Sequence, residues 1–211
     1  MSPRRSYDQY CSAARALDAV GDRWTLLIVR ELLAGPRRYT DLHADLPGVS
    51  TDVLAARLKD MERDGLTTRR RMPPPGAVQV YELTPRGREL LPVLQALGAW
   101  GAPLLADRRP TDAVRAHWFA LPLLRALADF GEGTVQVRLE EGEFHVRPGA
   151  TEGPVYGEGP APEEPDTHLV LDTATCTALA RGDLDLLEAV RTGRVTVTGD
   201  GPLAKALQEP R

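Results

Sequence analysis

A chain of 211 residues with 42% apolar residues is long enough to form one large domain or two small ones, each with a buried core. Its two cysteines are too few for a disulfide framework, which argues against a small secreted protein held together by cross-links. The longest early apolar run, residues 26–29, is far shorter than a bilayer span, and the N-terminal sequence lacks the apolar core of a signal peptide. We therefore expect a soluble, cytoplasmic protein without a membrane span.

The net charge of −4 is unevenly distributed along the chain. Residues 1–106 carry 15 Lys and Arg against 12 Asp and Glu, a net charge of +3. Residues 107–211 carry 11 against 18, a net charge of −7, and the two halves together give −4. A weakly basic half followed by an acidic half is consistent with a nucleic-acid-binding domain joined to a module that avoids the phosphate backbone.

Helical periodicity dominates the first third of the chain. The composition predicts helices over residues 10–20, 24–34, 39–46 and 50–64. The second of these is apolar around much of its circumference, which indicates a central helix. Pro47 and Gly48 form a tight turn between the last two helices, and this arrangement predicts a helix-turn-helix.

The last of these helices has clear start and stop signals. Ser50 is a suitable N-cap, and Val49 and Leu54 are spaced as a hydrophobic staple that fixes the entry of the chain. Gly65 ends the helix where a left-handed residue is needed. The apolar residues share one face, so the opposite face is free to enter a groove. We take that groove to belong to DNA.

A two-stranded wing is expected next. Residues 66–71 and 78–83 have strand composition, and the proline-rich segment 72–77 between them is incompatible with a helix or a central strand. Thr84 and Pro85 are a strong helix start, with an N-cap followed by proline at the first helical position. This helix is expected to reach about residue 100, with a kink at Pro92.

The run from residue 8 to residue 102 resembles the HxlR-type winged helix-turn-helix regulators, which are relatives of the MarR group. The resemblance rests on several consecutive motifs in order: YCSAARALDAVGDRWTLLIVRELLAGPRRYTDLHADLPGVSTDVLAARLKDMERDGL, then VYELTPRGRELL, then AWG. It implies a mainly α domain over residues 1–106, with a three-helix core and a two-stranded wing. It also implies a homodimer, joined through the first and last helices of the domain, that binds palindromic double-stranded operator DNA.

The second half predicts an α+β domain over residues 107–211. A helix is expected over residues 111–130, and alternating residues 134–139 and 143–147 predict a hairpin. Short strands are expected near 154–157, 168–171 and 195–198, with helices near 174–180 and 184–192 and after residue 202. The tail from residue 168 is similar to sterol-carrier-protein-like domains, which implies an apolar tunnel for a hydrophobic, lipid-like ligand.

Candidate DNA contacts lie in three segments. A helix-turn-helix presents the N-terminal half of its second helix to base edges, while arginines of the wing and of neighbouring loops contact phosphates. The candidates are Ser50, Thr51, Asp52, Ala55, Ala56 and Lys59 on the helix, Arg69, Arg70 and Arg71 in the wing, and Arg37 and Arg38 before the short helix. Strand alternation divides the wing arginines between two faces, so one or two of them should reach DNA.

A plainer interpretation exists for each of these groups. Polar helix faces are commonly only solvated, and the pair Arg37 and Arg38 is nearly as well explained as a solvated surface pair. Arg57 lies on the flank of the buried side and is expected to pair within the fold. Trp24 is expected in the core rather than against a base. The winged context favours the DNA-binding interpretation of the helix face.

Cys11 is a candidate redox site, because it stands where the HxlR pattern carries a cysteine and some family members sense oxidants or electrophiles. A sensor thiol needs a depressed pKa and solvent access, and Arg15 one helical turn on would supply positive charge. The simpler alternative is a small apolar residue in a dimer-forming helix. Cys176 is expected to be buried and inert.

No catalytic or metal constellation is evident. The four histidines lack metal-ligand spacing, and no nucleophile elbow or P-loop occurs. We therefore predict no enzyme activity and no cofactor, but a dimeric DNA-binding regulator, with repression as the expected outcome and a hydrophobic effector in the C-terminal half. Two alternatives stay open: a thiol-based regulator acting through Cys11, and a lipid-binding protein whose winged domain serves protein contacts.

Overall fold

The computed structural model describes residues 6–73 and 78–209. The chain forms two compact units, Met1–Leu91 and Pro92–Arg211. The division between residues 106 and 107 that the sequence suggests follows the family resemblance rather than compactness, and it stays a prediction.

The first unit is a helical core followed by a hairpin. Its elements are α1 Ser12–Val20, α2 Thr25–Leu33, α3 Tyr39–Asp45, α4 Thr51–Arg63, β1 Thr67–Arg71, β2 Gln79–Leu83 and α5 Pro85–Arg88. The central role expected of the second helix is confirmed, since Ile28, Val29, Leu32 and Leu33 of α2 are all buried. Trp24 is only half-buried, and the guanidinium of Arg23 lies 5.5 Å from the centre of its ring.

The hairpin confirms the predicted wing. Strands β1 and β2 pair antiparallel with Thr67 opposite Leu83 and Arg71 opposite Gln79. The proline-rich connection expected over residues 72–77 falls partly outside the described residues, at 74–77. A short third segment joins the hairpin at the middle of β2, because the backbones of Arg37 and Tyr81 exchange hydrogen bonds of 3.0 and 2.8 Å.

The long helix expected after Thr84 is interrupted. Helix α5 ends at Arg88, and a separate helix α6, Leu91–Gly101, begins after two intervening residues. Pro92 is therefore the second residue of a new helix rather than a kink within one. Proline is tolerated there because the N–H groups of the first turn have no partner within the helix.

The second unit is an α+β layer, as predicted. Beyond α6 it contains 3-10 helices Ala102–Ala106 and Ala116–Phe119, helices α7 Ala120–Leu127, α8 Thr173–Arg181, α9 Leu186–Arg191 and α10 Pro202–Gln208, and strands β3 Val135–Leu139, β4 Gly142–Val146, β5 Tyr156–Glu158, β6 Thr167–Val170 and β7 Thr196–Gly199. The strand order is β5-β4-β3-β6-β7, with β3 and β6 parallel and the other pairs antiparallel.

The helix expected over residues 111–130 is shorter than predicted. Residues 112–115 have no regular structure, and the α-helical part starts only at Ala120 after one 3-10 turn. Pro122 then lies in the first turn of α7, where proline disturbs no hydrogen bond of the helix. Helical composition alone therefore overestimated the length of this element.

The interior of the second unit is filled by large side chains. Phe144 and Tyr156 are fully buried, and Leu169 and Leu203 are equally inaccessible. A cavity lined by residues of α6, α7 and α8 has a volume of about 30 Å³, room for roughly one water molecule. The cavity that the described residues form there is much smaller than a lipid chain.

One helical stretch among the described residues, Pro85–Ala106, is long and apolar enough to cross a membrane by length and composition, with a mean hydropathy of 1.2. This stretch lies beyond the early apolar run, residues 26–29, on which the expectation of no membrane span was based. Only 11% of its most apolar window is buried within the protein. It therefore exposes apolar side chains, and these are considered below as a contact surface.

Candidate nucleic-acid interface

Helix α4 is fixed at both ends by the signals that predict it. The hydroxyl of Ser50 accepts a hydrogen bond of 3.3 Å from the N–H of Val53, so it caps the helix. At the other end Gly65 has φ +70°, and the N–H of Leu66 donates to the carbonyl of Met61 at 2.9 Å. That bond is the closing contact of a Schellman motif. The helix therefore has a defined start, end and rotation.

The faces of α4 divide as the sequence predicts. Leu54, Leu58 and Met61 are buried. The opposite side is exposed and consists of Thr51, Asp52, Ala55, Ala56 and Lys59. Within residues 6–73 and 78–209, neither Asp52 nor Lys59 forms an ion pair. Val53, which the sequence analysis passed over, is a further exposed apolar residue, with 40% of its surface accessible.

A tyrosine that the sequence analysis missed ties α3 to the start of α4. The Tyr39 hydroxyl donates a hydrogen bond of 2.7 Å to the carbonyl of Thr51, and its ring stacks on His43 at 6.4 Å. This contact fixes the angle between the two helices of the helix-turn-helix. A tyrosine at the first position of the short helix was the available signal, but only the structure identifies its acceptor.

The wing arginines differ in their surroundings. Arg69 forms an ion pair with Glu62 of α4, and Arg70 forms one with Glu82 of β2. Arg71 is exposed, and within the described part of the chain it has no ion-pair partner. Of the three predicted contacts, the structure thus presents Arg71 as the one whose charge is not already paired.

Arg37 and Arg38 are also distinguished by the structure. The side chain of Arg37 is only 17% exposed, and its Nη1 lies 4.0 Å from Oδ2 of Asp45. The side chain of Arg38 is exposed, while its backbone N–H donates to the Asp41 carboxylate at 3.2 Å. Arg38 is therefore the better placed of the two for a phosphate. Arg57 pairs with Asp22 and Asp60, as the sequence analysis expected.

Thr84 fastens the end of α4 to the end of the wing. Its hydroxyl donates to the carbonyl of Gly65 at 2.6 Å and accepts from the N–H of Gly87 at 3.1 Å. Gly87 is required for close approach, because a Cβ on it would lie 2.1 Å from the carbonyl oxygen of Leu66. The Thr84–Gly87 turn therefore holds the helix and the hairpin in one arrangement.

The two cysteines have opposite environments. Cys11 is exposed at the N-cap of α1 without a capping bond of standard geometry, and the nearby N–H groups of Ala14 and Ala13 lower the pKa of its thiol. The suggestion that Arg15 supplies the charge is not supported, since Arg15 lies 3.7 Å from Asp18. Burial raises the pKa of Cys176 to about 12.

Comparison with known proteins agrees with this geometry. Residues 19–108 match the model of the HxlR-like helix-turn-helix family, and residues 117–210 match the model of the SCP-2 sterol transfer family. The chain is 37% identical over 86 residues to the uncharacterized HTH-type transcriptional regulator YvaP of Bacillus subtilis, covering 41% of this chain and 80% of that protein. It is 38% identical over 95 residues to the uncharacterized HTH-type transcriptional regulator sll1512 of Synechocystis, covering 45% and 70% respectively.

The first part of the chain is also similar in sequence to a regulator whose structure has been solved. The reduced form of the transcriptional regulator YodB from B. subtilis is 32% identical and covers 44% of this chain and 92% of that chain, with a TM-score of 0.40. The match to the family model and the identity to YvaP over most of its length decide the assignment. The chain belongs to the HxlR-like helix-turn-helix family of transcriptional regulators, and it carries a C-terminal domain of the SCP-2 sterol transfer family.

Proposed function

We propose that this regulator binds specific operator DNA in the cytoplasm by inserting α4 into the major groove. The observation that carries the proposal is the exposed face of Thr51, Asp52, Ala55, Ala56 and Lys59 on a helix fixed at both ends. Small alanines permit close approach and can contact a thymine methyl, while Asp52 can accept from cytosine N4. Lys59 is a donor for guanine or for a phosphate.

Phosphate contacts would come from a small number of exposed cations. Arg38 precedes α3 and Arg71 ends β1, and both are exposed. Contacts of this kind supply most of the affinity and its dependence on salt, whereas base contacts select the site. A modest number of free cations is consistent with a regulator that binds its operator selectively instead of coating DNA.

A homodimer is the assembly we propose. Large apolar side chains are exposed just before and within α1, namely Tyr10 and Leu17. In the second unit the exposed apolar side chains include Leu97, Trp100 and Leu104. Exposed apolar groups of this size mark protein contacts. A twofold dimer would present two copies of α4 to half-sites about 34 Å apart on a palindromic operator. Repression by blocking polymerase access is the expected outcome.

The test is titration of the purified protein against DNA from its own genomic neighbourhood. We expect sequence-selective binding that weakens steeply with salt. Lys59→Ala should weaken operator binding by about 1–3 kcal/mol if Lys59 reads a base, and the salt slope should then stay unchanged. Lys205→Ala, on α10 in the other unit, is the matched control and should bind like the parent. Equal affinity for operator and unrelated DNA would contradict the proposal.

A second candidate function rests on Cys11. An exposed thiol whose pKa is lowered is the kind of group that oxidants and electrophiles attack first. If it is a sensor, oxidant should release the operator from the parent protein and not from Cys11→Ser. Cys176→Ser should respond like the parent. Release that persists in Cys11→Ser would eliminate this function.

A hydrophobic effector in the C-terminal domain is the remaining element of the proposal. It is supported by the match to the SCP-2 sterol transfer family, while the filled interior requires the domain to open before a ligand enters. Regulation would follow only if the ligand binds the DNA-competent and DNA-incompetent states differently. Native mass spectrometry of protein taken directly from cells tests this: an unshifted mass, unchanged by added fatty acid or sterol, would leave the domain a scaffold.

A further inference from the structure

Arg69 forms a bidentate ion pair that links the wing to the recognition helix α4. Its Nε lies 2.9 Å from Oε1 of Glu62, and its Nη2 donates to Oε2 of the same carboxylate at 2.9 Å. Both distances lie in the range of charge-assisted hydrogen bonds, and the paired geometry fixes direction as well as distance. The carboxylate belongs to α4 and the guanidinium to β1, so the contact joins two elements.

The same guanidinium rests on an aromatic ring of the second wing strand. Its carbon lies 5.2 Å from the ring centre of Tyr81, which stands directly opposite Arg69 in the hairpin. The backbone of Tyr81 is in turn hydrogen-bonded to Arg37, just before α3. Burial raises the pKa of the Tyr81 hydroxyl, and the charge of Arg69 opposes that rise, so the two groups interact. Contacts through Arg69 and Tyr81 therefore join α4, both wing strands and the start of α3.

The neighbouring ion pair Arg70–Glu82 does not connect the wing to another element. Arg70 Nε lies 3.0 Å from Oε2 of Glu82, and both residues belong to the wing itself. The side chains of the two pairs are similarly exposed. The exposed fractions are 47% for Arg69 and 26% for Glu62. They are 44% for Arg70 and 21% for Glu82. The second pair is therefore a matched control that carries the same charges without connecting the wing to α4.

We infer that Arg69 and Glu62 are positioning residues that fix the wing relative to the recognition helix, and that the wing contacts DNA through Arg71 instead. This inference rests on the DNA-binding function proposed above. It differs from the sequence-based expectation, in which Arg69 contacts DNA itself. It also assigns a role to Glu62, an acidic residue that would otherwise only repel phosphate.

The competing explanation is that Glu62 merely shields Arg69 until a phosphate replaces it. The two explanations predict opposite effects of Glu62→Gln. If Glu62 is a shield, its loss removes the group that phosphate has to displace, so affinity for operator and unrelated DNA rises alike while the number of phosphate contacts, and with it the salt slope, stays the same. If Glu62 positions the wing, its loss lowers the preference for operator over unrelated DNA and leaves the slope unchanged.

The experiment compares Glu62→Gln, Arg69→Gln, their double variant and Glu82→Gln in the full chain. Titrations against operator and unrelated DNA are run at several salt concentrations. We expect Glu62→Gln and Arg69→Gln each to reduce the operator preference about tenfold, within the range of couplings between contacting side chains. The double variant should be no worse than either single one, and Glu82→Gln should keep the parental preference. Arg71→Gln should reduce the salt slope by about 0.9.

A measurement without DNA separates this inference from the DNA-binding proposal. Amide hydrogen exchange of β1 and β2 in the free protein should accelerate in Glu62→Gln and not in Glu82→Gln, because only the first loses the link to α4. The exchanged pair Glu62→Arg with Arg69→Glu should restore slow exchange. Unchanged exchange in Glu62→Gln, or tighter binding of that variant to operator and unrelated DNA alike, would overturn the inference. If the parent protein does not bind operator selectively, but the variants change the exchange rates as expected, only the proposed function is overturned.

Discussion

Replacing Thr84 by Val should destabilise the first unit, because it removes a hydroxyl that bonds the end of α4 and caps α5, and it changes the shape of the side chain very little. The hydroxyl donates to the carbonyl of Gly65 at 2.6 Å and accepts from the N–H of Gly87 at 3.1 Å. Loss of the cap costs about 1 kcal/mol, and loss of the other hydrogen bond costs about 1 kcal/mol more. The expected total is about 2 kcal/mol.

Thermal and urea unfolding, followed by circular dichroism, measure this loss. For a unit of this size, about 2 kcal/mol corresponds to a fall in Tm of about 10 °C. Thr84→Ser keeps the hydroxyl and is the control; it should lie close to the parent. If Thr84→Val and Thr84→Ser unfold at the same temperature, the hydroxyl does not fasten α4 to the wing, and the explanation of this turn is wrong.

Three further predictions follow from other contacts. Gly87→Ala should destabilise the first unit by about 3 kcal/mol, because its Cβ would lie 2.1 Å from a backbone oxygen. Gly98→Ala is the control: there is open space around its Cβ, so its Tm should be no lower than that of the parent. Tyr39→Phe removes the 2.7 Å hydrogen bond to the carbonyl of Thr51, so it should lower the free energy of unfolding by about 1 kcal/mol and weaken operator binding. Operator affinity equal to that of the parent would refute a positioning role for Tyr39. Burial lowers the pKa of His145 from its ordinary value of 6.5, so the unfolded state binds the extra proton first and stability should fall as the pH drops below about 6.5. His145→Gln should show a smaller acid-induced loss of Tm, and an identical loss would refute this assignment.

Local signals predicted the first unit closely. Ser50, Gly65 and Thr84 are residues whose backbone or hydroxyl chemistry fixes the ends of elements, and each acts within a few positions along the chain. The strand composition of residues 66–71 and 78–83, with the prolines between them, likewise predicted the wing. These features depend on neighbours in sequence, so a single sequence contains enough information to identify them.

Contacts between distant segments were not predictable in the same way. The sequence shows that Arg69 is basic and Glu62 acidic, but only the fold brings them to 2.9 Å. The parallel pairing of β3 with β6 likewise joins strands separated by more than twenty-five residues, and no local pattern specifies it. By contrast, the ion pair of Arg15 with Asp18, three residues further along α1, is a local contact of the kind that helical spacing can predict.

The packed aromatic interior of the C-terminal domain has a kinetic consequence. The cavity lined by α6, α7 and α8 holds only about 30 Å³, and the rest of the interior is filled by buried side chains such as Phe144 and Tyr156. A larger apolar guest could therefore enter only after the packed side chains had moved apart. Uptake would then be limited by the frequency of that opening and would level off as guest concentration increases. Under the effector role proposed above, regulation would then follow the sustained presence of an apolar ligand and not brief pulses of it.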